Sequence, residues 1–349
     1  MSTTDLNNKD YILQVKDLKK YYPVGIKDGR RQYLKAVDGI SFNIERGTTM
    51  GLVGESGCGK TTVGRTILRL HDVTGGDVLF DGLNLAEIKK RELRRLRPRM
   101  QMIFQDPYSS LSPRMPVGEI IGEAVREHNI VPKNEYNGYI RSVMEACGLP
   151  TGYASRYPHE FSGGQRQRIC IARAVALKPD FIICDEPVSA LDVSIQAQII
   201  NLLQDLQDEF NYTYLFISHD LSVVEHISDT IGVMYLGSLV EAGDRDKIFE
   251  RPMHPYTQAL LSAVPISDPD AKTGRVILEG DIPSPVNPPS GCKFRTRCRY
   301  AMDVCAEVDP GFIEYEPKHK VACHLYPQVS DDLTKGDRSD SRARSQASA

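Results

Sequence analysis

Short apolar runs alternate along this chain with longer segments whose apolar residues recur at helical spacing, a pattern typical of an α/β fold. The apolar run at residues 49–53 precedes a glycine-rich loop, and apolar positions three or four residues apart follow through residues 62–70. Further apolar runs at residues 100–104, 181–184 and 212–218 have the length of buried strands. The pattern therefore predicts a parallel sheet core covered by helices.

Two other segments follow different patterns. β-Forming residues cluster at 11–18 and 34–44, which predicts an antiparallel sheet ahead of the glycine-rich loop, while residues 23–33 between them predict an exposed insertion. Residues from about 107 to 165 are mainly helical in pattern, so we expect a helical subdomain between two core strands. The basic run at residues 89–99 keeps apolar positions on one side, which favours a solvated helix face over a nucleic-acid patch.

Composition and charge are those of a packed globular protein. The chain has 349 residues, of which 41% are hydrophobic, and its formal net charge of −3 gives no indication of nucleic acid as a partner. No apolar run approaches the roughly 18 residues that can cross a bilayer. Residues 1–10 lack the apolar region of a secretory signal. We therefore expect a cytosolic protein without a membrane span of its own.

The glycine-rich loop carries the clearest chemical signal. Its sequence fits G-x-x-x-x-G-K-[ST] without a mismatch, in the strand, loop, helix order that a phosphate-binding loop requires. The glycines allow consecutive backbone N–H groups to converge on phosphate oxygens, Lys60 can reach the β- and γ-phosphates, and the Thr61 hydroxyl suits Mg²⁺. The predicted ATP-binding residues here are Gly54, Glu55, Ser56, Gly57, Cys58, Gly59, Lys60, Thr61 and Thr62.

Polar side chains follow the predicted core strands. Gln105, the pair Asp185 and Glu186, and His219 each come directly after one of them. The carboxyl ends of parallel strands meet at one edge of a sheet, where ligands bind, so we expect these side chains beside the phosphate loop. Asp185 is placed to hold Mg²⁺ and Glu186 to orient or deprotonate the attacking water. Two adjacent acids in a simple turn are the alternative.

A second predicted anion site lies at the start of the helix after residue 161. Ser162 is a natural N-cap, and Gly163 and Gly164 would let a phosphate approach the exposed N–H groups of the first turn. Gln165 completes this Ser-Gly-Gly-Gln segment. A capped helix with no ligand is the alternative interpretation.

Taken in order, these motifs resemble those of an ATP-binding-cassette (ABC) ATPase over about residues 11–250. The matching positions are Tyr22, 54–62, Gln105, Ser162, Gly163, Gly164, Gln165, Asp185, Glu186, 189–192 and His219. The resemblance implies a P-loop NTPase with a RecA-like parallel sheet core, an antiparallel β subdomain and a helical subdomain. It also implies a head-to-tail dimer, in which the phosphate loop of one subunit and the Ser162 helix of the other clamp one ATP.

The resemblance also implies individual roles. Tyr22 is expected to stack on adenine, Gln105 to contact Mg²⁺ and sense the membrane subunit, His219 to contact the γ-phosphate, and Asp192 to lie on the dimer seam and belong to the ATP site. The expected catalytic residues are Glu186, His219 and Gln105, and the expected Mg²⁺ ligands are Thr61, Gln105 and Asp185.

Segments 187–194, 254–261 and 287–292 resemble the F subunit of bacterial oligopeptide and dipeptide permeases. This finer resemblance implies an ATPase that powers di- or oligopeptide uptake, as a heterodimer with a D-type ATPase beneath two transmembrane permease subunits. It also implies an extracytoplasmic peptide-binding protein that delivers substrate, and a peripheral position for the ATPase at the cytoplasmic face of the inner membrane. Importers of nickel, glutathione or opines, and soluble ABC ATPases without a transport role, are the alternatives.

The expected domains are a cassette at 11–250, a C-terminal domain at 251–327 and a disordered tail at 328–349, since the tail is charged and poor in apolar residues. The C-terminal domain is a small extension with four clustered cysteines, Cys292, Cys298, Cys305 and Cys323. A cytosolic location disfavours disulfides, which suggests metal ligation. Their spacing lacks the C-x-x-C step of many zinc sites, so a [4Fe–4S] cluster is favoured over zinc, with unligated thiols as the remaining alternative.

Overall fold

The computed structural model describes residues 11–27, 29–264 and 278–326. Its strands are β1 (Tyr11–Lys27), β2 (Arg30–Glu45), β3 (Thr49–Val53), β4 (Gly75–Phe80), β5 (Leu83–Asn84), β6 (Met100–Ile103), β7 (Phe181–Asp185), β8 (Thr213–Ile217), β9 (Thr230–Tyr235), β10 (Ser238–Asp244), β11 (Ile313–Glu316) and β12 (His319–Val321). Its α-helices are α1 (Lys60–Ile67), α2 (Lys90–Leu96), α3 (Pro107–Ser110), α4 (Val117–Glu127), α5 (Tyr136–Ala146), α6 (Gly163–Val175), α7 (Val193–Phe210), α8 (Leu221–Ile227), α9 (Arg245–Glu250), α10 (Pro255–Ser262) and α11 (Val304–Glu307). Short 3₁₀ helices lie at Arg97–Arg99, Thr151–Ser155 and Pro158–Glu160.

The core sheet confirms the predicted parallel arrangement. Its strand order is β11-β12-β10-β9-β3-β8-β7-β6, with β3 between β8 and β9. Strand pairs from β9 through β3, β8 and β7 to β6 are parallel. Every residue of β3, β7 and β8 is buried, because α6 and α7 pack on one face of the sheet and α1 packs on the other together with β1, β2 and β4. The carboxyl ends of these central strands define the edge at which the predicted site residues emerge.

The predicted antiparallel sheet is also present, in the order β2-β1-β4-β5. The segment predicted as an insertion is exposed but not irregular, because it continues both strands of the β1–β2 pair from Pro23↔Tyr33 to Lys27↔Arg30. The pairing of β1 with β4 ends at Lys19. Beyond that point β1 and β2 form a two-stranded ribbon that pairs with no other described strand. A two-stranded ribbon buries little, which is why its sequence shows no apolar alternation.

The helical subdomain is formed by α3, α4 and α5 with the two neighbouring 3₁₀ helices, as predicted. Its buried residues include Ile121 and Val125 on α4 and Met144 on α5, which belong to the same apolar cluster as Ile171 on α6. The basic run forms α2, in which Leu93 is buried and the charged residues are exposed or partly exposed, as expected of a solvated helix face.

The C-terminal segment, residues 278–326, packs on the cassette. Strands β11 and β12 extend the core sheet beyond β10, through antiparallel pairing of β12 with β10. Beneath this junction, the buried Glu241 carboxylate accepts hydrogen bonds from the backbone of Met253 and His254 and lies 2.8 Å from Nε2 of His319. The predicted disordered tail lies outside the described residues. Nowhere in the described ranges is a helix both long and apolar enough to cross a membrane.

Candidate functional site

The phosphate loop joins β3 to α1 in a conformation that requires glycine. Gly59 has φ 111°, and a Cβ there would lie 2.1 Å from the carbonyl oxygen of Ala36. A Cβ on Gly54 would lie 2.2 Å from the carbonyl oxygen of Met234. Both contacts are with backbone, which cannot move aside, so the loop depends on these two glycines for its shape.

Lys60 and Thr61 begin α1, and their side chains form hydrogen bonds with different parts of the site. The Lys60 side chain is almost fully buried, and its Nζ donates to the carbonyl oxygens of Gly54 (2.7 Å) and Glu55 (3.1 Å). The Thr61 hydroxyl donates to Oδ1 of Asp185 (2.7 Å). The Lys60 ammonium group is therefore held against the loop that would bind the nucleotide phosphates.

Asp185 carries a free acceptor next to this hydroxyl. Its Oδ2 is buried and has no hydrogen-bond partner among the described residues, and burial raises the pKa of this carboxyl group. A buried carboxylate oxygen without a donor is unfavourable on its own but suits a hard cation. The pair Thr61 and Asp185 therefore fits the predicted Mg²⁺ site, with one hydroxyl and one carboxylate oxygen as ligands.

The other two predicted catalytic residues, Gln105 and His219, both lie close to the Glu186 carboxylate. Its backbone is left-handed, with φ 48°, and its N–H donates to the carbonyl oxygen of Ile217 (2.9 Å). The Gln105 amide donates to Oε2 (2.8 Å), and Nδ1 of His219 lies 3.3 Å from Oε1. Gln105 is 81 positions before Glu186 in the sequence, and His219 is 33 positions after it. The fold brings the three residues together, as predicted from their places at strand ends.

A cavity of about 570 Å³ joins these groups to the phosphate loop. Tyr22, loop residues 56–62, Gln105, Glu186 and His219 all line it. Lys35 and Pro285 line it as well, and the Lys35 N–H donates to the Pro285 carbonyl oxygen (3.2 Å). Sequence reasoning missed these last two because neither lies in a recognisable motif.

The Ser-Gly-Gly-Gln segment and Asp192 cap helices outside this cavity. Ser162 Oγ accepts from the Gln165 N–H (3.3 Å) while Gln165 Oε1 accepts from the Ser162 N–H (3.1 Å), which confirms the predicted N-cap of α6. Asp192 Oδ1 accepts from the Ile195 N–H (3.0 Å) and caps α7. Ser162, Gly163 and Asp192 are exposed, and none of the three is among the described residues that line the cavity.

The four C-terminal cysteines share one neighbourhood. Burial raises the pKa of Cys292 to about 11, and the nearby thiols of Cys305, Cys323 and Cys298 raise this pKa further. Within the described ranges, however, no three His, Cys, Asp or Glu side chains are arranged to hold a metal ion. The arrangement of these side chains therefore does not support the predicted [4Fe–4S] cluster.

Solved structures of similar fold are ABC cassettes. One is the cassette MJ0796 as a dimer in a post-hydrolysis state with ADP and phosphate, at TM-score 0.60 and 26% identity, covering 67% of this chain and 98% of that one. Another is CbiO1 from Clostridium perfringens, part of the ABC transporter complex CbiONQ, at TM-score 0.60 and 27% identity, covering 69% of this chain and 92% of that one.

Fold and site together define the class, which is that of the P-loop ATPases. The model of the family described as ABC transporter matches residues 37–189, and that of the oligopeptide/dipeptide transporter C-terminal region matches residues 240–305. The oligopeptide transport ATP-binding protein AppF of Bacillus subtilis is 52% identical over 91% of this chain and 98% of its own length. The dipeptide transport ATP-binding protein DppF of Escherichia coli is 48% identical over 94% and 98%. This chain belongs to the family of ABC transporter ATP-binding proteins.

Proposed function

We propose that this chain hydrolyses ATP to power an importer of di- or oligopeptides. The observation that carries the proposal is the convergence of Gln105, Glu186 and His219 beside an intact phosphate loop. Peptide as the cargo rests on the names of AppF and DppF and on the match of the C-terminal region to the oligopeptide/dipeptide type. Nickel, glutathione or an opine as cargo is the alternative, since this subunit does not itself select the solute.

In the proposed reaction, the loop N–H groups and Lys60 bind the ATP phosphates and Tyr22 stacks on the adenine. Thr61, Gln105 and Asp185 would hold Mg²⁺, which neutralises phosphate charge when bound. Glu186 accepts a proton from the attacking water. The hydrogen bond from Gln105 and the close approach of His219 fix the two carboxylate oxygens, so that the base is already oriented before water arrives.

The second half of the ATP site is proposed to come from another subunit. Ser162, Gly163, Gly164, Gln165 and Asp192 start helices at the protein surface and would face the phosphate loop of a D-type ATPase in a head-to-tail heterodimer. Exposed N–H groups at the start of a helix favour phosphate binding. The dimer of the similar cassette MJ0796 supports this arrangement.

The assembly proposed around this heterodimer has two transmembrane permease subunits and an extracytoplasmic peptide-binding protein. In it, the chain would lie at the cytoplasmic face of the inner membrane. The cassette at 11–250 would bind ATP, the helical subdomain at about 107–165 would contact the permease, and residues 251–327 would form the C-terminal domain. The names of the relatives, which are transport proteins, support this placement.

Reconstitution in liposomes tests the proposal. The complete complex should take up a labelled peptide and hydrolyse more ATP when its peptide-binding protein and peptide are present. The same complex with Lys60→Ala should do neither, because the loop loses its ammonium group. Association with ribosomes and with no membrane subunit would contradict the proposal and favour a soluble ABC ATPase.

The iron–sulfur cluster is a proposal that rests on the sequence clustering of Cys292, Cys298, Cys305 and Cys323, and no step of hydrolysis depends on it. Protein purified without oxygen should be brown and hold iron and acid-labile sulfide in equal amounts. Cys298→Ser should remove the colour, and Cys170→Ser, a change in the cassette, should not. Stoichiometric zinc, or no metal, would refute the iron–sulfur proposal.

A further inference from the structure

The C-terminal segment reaches into the phosphate loop through one ion pair. Arg297 Nη1 donates to Oε2 of Glu55 (2.8 Å) and Nη2 donates to Oε1 (3.1 Å), although the two residues are 242 positions apart. The Arg297 side chain is 7% exposed and that of Glu55 is 24% exposed. Two parallel hydrogen bonds between a planar guanidinium and a carboxylate fix both groups in orientation as well as distance.

The backbone of Glu55 is held from the same side. Its N–H donates to Oη of Tyr256 (2.8 Å), a fully buried residue on α10. The Tyr256 ring packs against Tyr235 (4.8 Å between centroids) and Phe294 (5.4 Å), and the Arg297 guanidinium lies 5.9 Å from the Tyr235 centroid. An aromatic cluster shared by the cassette and the C-terminal segment therefore supports both contacts to Glu55.

Glu55 needs such support because of its position. It follows Gly54 in the loop, and its carbonyl oxygen accepts a hydrogen bond from Lys60, the residue that is to bind phosphate. A carboxylate within a phosphate-binding loop repels the nucleotide unless a cation neutralises it. The Arg297 fork supplies this cation and turns the carboxylate toward the C-terminal segment, and Glu55 in turn raises the pKa of Arg297.

We propose that Arg297 is a positioning residue for ATP binding: through Glu55 it fixes and neutralises the phosphate loop, so that the C-terminal segment sets the affinity of the cassette for ATP. This inference rests on the proposed ATPase function. It adds a residue from outside the cassette to the nucleotide site, at a position that no cassette motif marks. Arg297 does not line the cavity, and its effect is to pass through Glu55.

The test is the dissociation constant of Mg-ATP for the full chain, measured by calorimetry. Arg297→Ala should raise this constant about tenfold, because it leaves an unneutralised carboxylate in the loop. Arg299→Ala is the matched control, since Arg299 is an exposed arginine of the same segment that stacks on Tyr300, and it should change the constant less than twofold. In the assembled complex, Arg297→Ala should raise KM for ATP while kcat at saturating ATP changes less than twofold.

A second background separates this role from a general loss of stability. In Glu55→Ala protein, adding Arg297→Ala should change the dissociation constant less than twofold, because the group through which it acts is already gone. Arg297→Lys keeps the charge but loses the fork, and should weaken binding about threefold. If Arg297→Ala does not fold, as judged by thermal unfolding, Arg297→Lys decides the question.

Wild-type affinity in Arg297→Ala or in Arg297→Lys, or an equal effect of Arg297→Ala in both backgrounds, would overturn the inference. None of these results bears on the proposed function, because different measurements test it. It fails if the wild-type chain does not bind Mg-ATP, or if Lys60→Ala binds it with unchanged affinity.

Discussion

At the scale of single residues, the proposed hydrolysis depends on one carboxylate whose geometry is already set. Glu186 has a left-handed backbone, two neighbours on its carboxylate and a side chain 15% exposed. A left-handed conformation is strained for a glutamate and is tolerated where the surrounding structure determines it. Asp185, one residue earlier, is directed instead toward Thr61 and the phosphate loop. Consecutive acids thus serve different parts of the site.

Glu186→Gln should keep ATP binding and lower the turnover of the assembled ATPase by about 10²- to 10⁴-fold, the scale of a lost general base. Phosphate release and calorimetric ATP binding measure the two effects separately. Glu225→Gln on α8 is the control, because Glu225 is exposed, and it should hydrolyse ATP normally. A normal rate in Glu186→Gln would exclude this residue as the base.

At the scale of elements, α10 connects the cassette to the C-terminal segment through its cap. His254 is fully buried, and its Nδ1 accepts from the Tyr256 N–H (3.1 Å) at the start of the helix. Burial lowers the pKa of His254 to about 4, although the Glu241 carboxylate acts in the opposite direction. The folded protein therefore holds this imidazole neutral at a pH at which an unfolded chain would protonate it.

A pH dependence of stability follows from this shift. Below about pH 6.5 His254 becomes protonated in the unfolded chain, whereas in the folded chain it stays neutral until about pH 4. Stability should therefore fall as pH falls through this window, by about 3 kcal/mol in total. Denaturant unfolding at several pH values measures the effect.

His254→Asn keeps a side-chain acceptor for the cap but does not titrate, so it should flatten the dependence. His226→Asn, a change at an exposed histidine of α8, should leave it in place. A profile for His254→Asn that is parallel to that of the wild type would show that another group is responsible.

At the scale of the whole molecule, the proposed nucleotide site is divided between two subunits. The cavity holds the phosphate loop and the catalytic residues, while α6 and α7 begin elsewhere on the surface. Both helix starts are well capped by their own side chains, so each is preformed before any partner binds. Preformed helix starts that do not line their own subunit's cavity suit a head-to-tail pair.

The isolated chain should consequently be a poor ATPase, because its own Ser162 helix does not reach its own phosphate loop. Addition of the D-type partner should raise phosphate release by about 10²-fold, the scale of a missing transition-state contact. A partner with its Ser-Gly-Gly-Gln serine changed to arginine should not stimulate this site. Full turnover by a demonstrated monomer would contradict the divided site.

Much of the site was predictable because its signals are local. The G-x-x-x-x-G-K-[ST] loop, the N-cap at Ser162 and the apolar strands follow from the residue types of a few neighbouring positions. The meeting of Gln105 with Glu186 was also predictable, since parallel strands place their carboxyl ends at one edge. The β1–β2 ribbon was missed because its pairing depends on the opposite strand and not on its own pattern.

By itself, then, the sequence determined the α/β core, the phosphate loop and the class of reaction, since periodicity and motif spacing act over short distances. Only the tertiary structure decided what approaches the loop from far along the chain. Pro285 lines the cavity, Arg297 forms an ion pair with Glu55, and β11 and β12 extend the core sheet. The contacts of Arg297 with Glu55 and of Pro285 with Lys35 join residues 242 and 250 positions apart, and no local pattern encodes which distant side chain will pack there.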